Sequence, residues 1–232
     1  MVLSRSRICA NEEEFAQARV VTFVNPYSML KIMQAGVSLD RFDKICVDGI
    51  GLLKFFHLVF RDSSIERLSF DFTGVASHVF ERGAKGNERG FMLGSDPDSN
   101  TGFQARVIEM FPGINLEGRS GYFDNDDHRT EVLKTLADSS HDFILIGMGA
   151  VNQENVANQL VELGYTGRIY TCGGFMHQTA MSGGEYYPGW IDRFNLRFAY
   201  RMFKEPSTVR RYLLDYPKAF GLLALNIRNF RH

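Results

Sequence analysis

Short runs of β-branched and aliphatic residues alternate along the chain with stretches whose apolar positions recur every three or four residues. The runs at 19–24, 44–47, 90–93, 114–118, 143–146 and 168–172 predict strands. Helical spacing is found at 27–35, beyond Gly51, from Asp71 to about Arg82, and at 100–110, 128–136 and 154–163. Strands interleaved with helices of this length imply βαβ units. The expected fold is therefore α/β: a Rossmann-like, mostly parallel sheet flanked by helices, with a basic helical C-terminal appendage. The pattern divides the chain into a lead at 1–18, a Rossmann-like domain at 19–190 and a basic amphipathic helical appendage at 191–232. It contains no internal repeat and no low-complexity segment.

A parallel sheet places ligands beyond the carboxyl ends of its strands. The turns expected there are rich in glycine and polar residues: Asn25-Pro26, Asp48-Gly49-Ile50-Gly51, Gly94-Ser95-Asp96-Pro97, Gly147-Met148-Gly149 and Gly173-Gly174. Several such turns along one edge suggest a pocket lined with backbone N–H groups, where helix N-termini favour an anion such as a diphosphate. Each glycine taken singly is more often a tight turn. Neither GxxxxGK[ST] nor GxGxxG occurs.

The overall charge of −1 hides a split. Residues 193–232 carry nine Lys/Arg against two carboxylates, and the rest of the chain seventeen against twenty-five. An acidic body joined to a basic tail suggests an anionic partner. Arg193, Arg197, Arg201 and Lys204 recur at helical spacing as a narrow stripe beside Phe194, Leu196, Phe198, Met202 and Phe203. Such a helix suits phosphates on one side and a bilayer or groove on the other, although a solvated face of a packed helix explains the charges equally well. The interleaving of cations with large aliphatics and aromatics argues against a nucleic acid partner, which needs mainly exposed Lys/Arg. The surrounding apolar surface leaves bilayer, partner protein and a second copy of the chain open.

The longest apolar run, 143–150, is too short to cross a bilayer, and the N-terminus lacks the apolar core of a signal peptide. Three cysteines without CxxC spacing favour a reducing compartment. Six scattered histidines offer no ligand-like pair, so no metal site is expected. These features predict a cytosolic protein that can touch a membrane without crossing it.

Asp48 is the foremost candidate for chemistry. It ends a strand, is followed by Gly49, and can serve as a general base in a partly desolvated cleft; capping the next helix is the alternative. Asn25 before Pro26 reads as an N-cap with Pro at N1, with a ligand contact in addition. Gln153 opens a helix after the Gly147–Gly149 turn, where its amide can reach a base or sugar hydroxyl, while Glu154 complements the helix dipole. Arg119 follows a strand, and the adjacent Tyr122 and Phe123 read as core rather than as a sugar platform. Arg210 and Arg211 stand together in an expected helix at 206–216, and guanidinium groups suit bidentate phosphate contact.

In this order the motifs resemble the WecG/TagA/CpsF family of bacterial glycosyltransferases, across most of the chain from Val20 to Phe220. The likeness runs through Asn25-Pro26, Val47-Asp48-Gly49, Glu66-Arg67, Gly94, Pro112-Gly113, Gly118, Gly121-Tyr122-Phe123, Gly147-Met148-Gly149, Gln153-Glu154 and Gly173-Gly174-Phe175. It ends on its most specific stretch: Pro188, Trp190, Leu196, Tyr200-Arg201, Glu205-Pro206 and Arg211-Tyr212. The resemblance implies inverting transfer of a sugar from a UDP-sugar to a saccharide on undecaprenyl diphosphate, without an obligatory metal or other cofactor. The products are surface polysaccharides, made at the inner face of the cell membrane.

By that likeness Asp48 is the general base. Asn25 and Gln153 line the substrate pocket with the Gly94, Gly147 and Gly149 turns. Arg201 and Arg211, with Arg210 nearby, meet the diphosphate. The chain departs from the family pattern at Phe23, Asn152, Met176-His177, Tyr186-Tyr187-Pro188 and Thr208. Thr22-Phe23-Val24-Asn25-Pro26-Tyr27-Ser28 is similar to the exopolysaccharide branch, which implies a UDP-glucose type donor, with the UDP-N-acetylmannosamine type of the best-known members as the other expectation. The alternative is a non-catalytic nucleotide-sugar-binding or scaffold subunit of a polysaccharide assembly complex.

Overall fold

The apolar runs become the strands of one sheet. The computed structural model describes residues 3–182, 207–226 and 230–231. In it β2 (Val20–Val24), β3 (Lys44–Val47), β4 (Arg89–Gly94), β5 (Asn115–Arg119), β6 (Phe143–Gly147) and β7 (Arg168–Thr171) form a six-stranded sheet in the order β3-β2-β7-β6-β4-β5. Every pairing is parallel. The all-parallel sheet flanked by helices is the α/β architecture expected from the pattern.

Alternation along the inner strands divides the core in two. Val20, Val24, Ile45, Val47, Leu93, Ile144, Ile146 and Ile169 face one layer, and Val21, Phe23, Cys46, Met92, Phe143, Leu145 and Tyr170 the other. The first layer holds α2 (Pro26–Ala35), α3 (Ile50–Phe60), α6 (Asp126–Ala137) and α7 (Asn152–Glu162). The second holds α1 (Glu12–Gln17), α4 (Ala76–Gly86), α5 (Pro97–Met110) and α8 (Phe175–Ser182). Steps toward the β3 edge carry α2, α6 and α7, while steps the other way carry α4 and α5. A single crossover hand requires this split. Chain leaving β4 therefore goes to one face and chain leaving the adjacent β6 to the other, which opens a crevice between their carboxyl ends.

The N-terminal lead packs onto the sheet. Ile8 bridges Ile45 in parallel, the Cys9 N–H donates to the Ile45 carbonyl at 3.0 Å, and Phe15 of α1 is buried. A two-residue parallel pair between β1 (Leu3–Ser4) and β8 (Phe230–Arg231) brings the two chain ends together.

At the other end of the chain lie α9 (Ser207–Arg210), a π-helical turn at Arg211–Asp215 and α10 (Tyr216–Leu225). The helix expected at 206–216 thus continues to Leu225. Pro217 has no N–H for the carbonyl one turn back, and its ring would strike that carbonyl in a regular α-helix. The wider π turn relieves both problems. Ala219 and Leu223 of α10 are buried, and the Phe220 ring lies 6.0 Å from Phe55 of α3. A Cβ on Gly51 would meet Phe220 at 3.2 Å, so glycine at the start of α3 admits this ring. The stripe expected at Arg193, Arg197, Arg201 and Lys204 lies outside the described residues.

Candidate functional site

The carboxyl edge of the sheet gathers most of the expected residues. Asn25 caps α2: its side chain accepts from the Ser28 N–H at 3.0 Å, and Ser28 Oγ accepts from the Asn25 N–H at 2.9 Å. This reciprocal box, with Pro26 in the first turn, fixes where β2 ends. Asp48 follows β3 alongside, its N–H donating to the Val24 carbonyl at 2.8 Å. Its residue is half-buried. The N-cap of α3 is Gly49, at φ 106°, and it provides no side-chain cap. Asp48 therefore stands one residue outside the cap position, at the carboxyl end of β3.

The π turn reaches the same place. The Arg211 guanidinium lies 4.6 Å from the centroid of the Tyr27 ring, and Lys31 Nζ lies 5.5 Å from that centroid. Tyr27 is the second residue of α2, so a half-buried arginine is held beside Asn25 and the β2 terminus. Arg210 is exposed, and Arg201 lies outside the described residues.

Gln153 is placed differently from a solvent-facing ligand group. It is 2% exposed, its Oε1 accepts from the Gly173 N–H at 2.9 Å, and its Nε2 donates to Glu154 Oε1 at 2.8 Å. It locks the start of α7 to the turn after β7.

Glu154 is fully buried and accepts three bonds: from Gln153, from Thr22 Oγ1 at 2.9 Å and from the Val151 N–H at 2.7 Å. Thr22 Oγ1 also pairs with Thr171 Oγ1 at 2.9 Å, and that oxygen accepts from the Phe23 N–H at 3.2 Å. A directed chain of donors thus ends on the carboxylate, as burial requires. Burial still pushes the Glu154 carboxyl above the ordinary carboxylate value, against the pull of its donors. Val151, a β-branched residue at φ 79° and ψ −54°, is held in that strained conformation by the bond to Glu154.

The floor over β4 and β6 is closely packed, buried backbone. Gly94 pairs with Gly147, and a Cβ on Gly94 would stand 2.4 Å from the Gly147 carbonyl oxygen. Gly149, at φ 75°, has open space where a side chain would be. Beside this floor Asp96 caps α5, accepting from the Ser99 N–H at 3.0 Å. Its Oδ2 lies 3.5 Å from His177 Nδ1, which is also 3.0 Å from Ser99 Oγ. Hydrogen bonds from Ser99 hold the Asp96 carboxyl down at about 2, so it is ionised at neutral pH.

The edge therefore combines a carboxylate, an arginine and helix N-termini, groups whose chemistry suits an anionic ligand. Residues 2–232 match the glycosyl transferase WecG/TagA/CpsF family. The chain belongs to this family. Among its relatives is the UDP-Gal:alpha-D-GlcNAc-diphosphoundecaprenol beta-1,4-galactosyltransferase of Shigella boydii, 35% identical over 86% of this chain and 83% of the relative. The N-acetylglucosaminyldiphosphoundecaprenol N-acetyl-beta-D-mannosaminyltransferase of Bacillus subtilis (strain 168) is 24% identical over 86% of this chain and 76% of its own. That of Bacillus spizizenii is 25% identical over 78% and 67%.

Within this family member, the structure brings Asp48, Asn25 and Arg211 to the β2–β3 end and Gly94, Gly147 and Gly149 to the β4–β6 end. Gln153 and Glu154 lie beneath the floor. The Thr22–Thr171–Glu154 network was invisible to local pattern, because its members are 132 and 149 positions apart. Tyr122, expected in the core, is exposed, while Phe123 packs against the core and lies 5.0 Å from the Arg119 guanidinium. Among the described residues no cluster of ligating side chains could hold a metal ion, and no helix is long and apolar enough to cross a membrane.

Proposed function

We propose that this protein is an inverting glycosyltransferase that moves a hexose from a UDP-sugar to a GlcNAc-type sugar on undecaprenyl diphosphate, in the synthesis of a bacterial surface polysaccharide. The observation that carries the reading is the placement of Asp48 and Arg211 at the adjacent carboxyl ends of β3 and β2. A single carboxylate beside a cation suits direct displacement. Asp48 takes the proton of the acceptor hydroxyl as that oxygen attacks the anomeric carbon, and the bond to UDP breaks on the opposite face. Arg211, with Arg210 and Arg201 from the same tail, meets the negative charge that grows on the departing diphosphate. The site so described assigns no step to a metal.

The names of the relatives support the lipid-linked acceptor, and that of the Shigella boydii enzyme supports a UDP-hexose donor. Galactose becomes the first candidate donor, ahead of the glucose and N-acetylmannosamine types suggested by the motifs, because the 35% identical relative names it. Exposed Leu213, Leu214 and Leu225 near the tail cations support contact with the membrane surface that carries the acceptor.

The test is UDP release from UDP-galactose, UDP-glucose and UDP-N-acetylmannosamine, in EDTA, with and without lipid-diphosphate-linked GlcNAc. Acceptor-dependent release with one donor is the expected result. The Asp48→Asn variant should lose about 10²- to 10⁴-fold in rate while keeping its affinity for UDP. Tight UDP binding with no release from any donor would instead favour a non-catalytic scaffold subunit.

A further inference from the structure

The N-terminal lead sets one cysteine beside another on the strand that runs to Asp48. Ile8 bridges Ile45 in parallel, so the next residues along, Cys9 and Cys46, stand opposite one another. Both belong to the same layer of the core, and both are fully buried. Neighbouring strands run about 4.8 Å apart, inside the roughly 4.4–6.8 Å between Cα atoms that a disulfide spans. The two thiols are already in contact. That of Cys46 donates to Cys9 Sγ, and Cys9 donates onward to the Asn11 carbonyl at 3.3 Å. Cys172 carries the third free thiol. It follows β7, two strands from β3 in the sheet order, so strand spacing alone keeps it roughly 10 Å from Cys46. Of the three cysteines, Cys9 and Cys46 are the two placed to join.

The pair is unequal. The hydrogen bond from Cys46 lowers the Cys9 thiol below its ordinary value in spite of burial, whereas burial raises that of Cys46. Cys9 is thus the readier thiolate, and the thiolate is the nucleophile toward an oxidant. It also lies on the side that opens more easily. Residues 8–10 are held across to the body by the Ile8 bridge, the Cys9 N–H on Ile45 and the Glu66 N–H on the Ala10 carbonyl. A short segment with so few bonds opens locally at lower cost than a strand inside the sheet, which admits a small oxidant.

We propose that Cys9 and Cys46 form a redox modification site, which a peroxide closes into a disulfide between the N-terminal lead and β3, two residues before Asp48. The Cys9 thiolate attacks one peroxide oxygen and the O–O bond breaks, leaving Cys9 as a sulfenic acid. The hydroxide released takes up the Cys9 proton and becomes water. The Cys46 sulfur then attacks the Cys9 sulfur, and its proton leaves with the hydroxyl group as a second water. Two thiols and one peroxide become one disulfide and two waters. A dithiol reductant reverses the bond by exchange. The site is separate from the UDP-sugar reading and stands whether or not that reading holds.

The experiment treats the folded protein with hydrogen peroxide, removes the excess with catalase, and alkylates the remaining thiols during unfolding. Intact mass and a peptide map are then read. Wild type and Cys172→Ser should each lose two thiols and two hydrogen masses, with the Cys9 and Cys46 peptides joined, and a dithiol should restore both thiols. Cys9→Ser and Cys46→Ser should form no internal disulfide. The decision rests on the wild-type map, which needs no substitution in the core. Three thiols surviving the treatment, oxygen added to single cysteines without a crosslink, or a crosslink that includes Cys172 would each overturn the assignment.

Discussion

Replacing Glu154 with glutamine tests whether the buried network beneath the cleft is arranged around a carboxylate. In the wild type Oε1 accepts from both Thr22 and Gln153, and Oε2 accepts from the Val151 N–H. A glutamine can place its oxygen at the first site, but its NH2 then confronts the Val151 N–H, donor against donor. One buried donor left unsatisfied costs about 1–3 kcal/mol. For a chain of this length that lowers the midpoint by roughly 2–12 °C.

The pH dependence is the sharper part of this test. Burial raises the folded-state value of Glu154, so its contribution is fully present below the unfolded value, near ~4.3, and is lost as pH climbs through the folded value. Wild type should therefore lose stability relative to E154Q as pH rises from about 4, and the mutant's deficit should narrow. Urea melts of both proteins between pH 4 and 8, compared pairwise, measure this directly. A deficit that widens with pH would mean that the three donors outweigh burial and that the carboxylate form is the one the fold stabilises.

Three further substitutions probe the cleft from other sides. Arg211→Ala should weaken UDP binding by about tenfold or more through the loss of a charge-assisted contact, measured by titration calorimetry, while its exposed-type stacking on Tyr27 costs only ~0.5–1 kcal/mol of stability. Gly94→Ala puts a methyl 2.4 Å from the Gly147 carbonyl, where only backbone can yield; a loss of about 3 kcal/mol in denaturant melts is expected, and a melt matching wild type would show that the strand ends are more pliable than the structure depicts. Phe220→Ala removes the ring that docks α10 against Gly51 and Phe55. It should cost ~2 kcal/mol or more, speed proteolysis of 207–226 and weaken UDP binding by displacing Arg211.

The sheet was legible because its signal is local. The run at 44–47 is the observed β3 to the residue, and the others agree within one or two positions, since buried parallel strands must be continuously apolar. Helix α1 was legible in principle: Asn11 caps it by accepting from the Glu14 N–H, and Glu14 reaches back to the Ala10 N–H. Pro217 reads as the end of a helix, yet the backbone widens into a π turn and continues, which a pattern of side chains does not reveal. In the site, Asn25 and Asp48 could be found because each marks a strand end. Gln153 could be found but not its orientation, because its partners, Gly173 and Glu154, depend on how α7 meets β7.

That difference reflects how the cleft is built. Beneath the β2–β7–α7 junction, polar groups are consumed in bonds to one another, and Val151 is held against its backbone preference by one of them. Such a floor gains fixed geometry, and the strain of ~1–3 kcal/mol at Val151 is sustained because surrounding contacts over-determine it. Above it, among the described residues, Arg211 and the π turn are joined to the body through the buried Ala219 and Leu223, through Phe220 and by a ring stacked under a guanidinium. A floor fixed by its own hydrogen bonds and a cationic element packed on it from the far end of the chain could separate two tasks that one element would perform poorly. On the proposed mechanism, Asp48 would have to hold its place to within a hydrogen bond of the attacking hydroxyl, whereas a cation that meets the diphosphate would have to let UDP leave. On this reasoning, substitutions in the floor should act mainly on the chemical step, and substitutions at the α10 docking surface mainly on substrate capture and product release. Single-turnover and steady-state rates of G94A and F220A, set side by side, would separate the two.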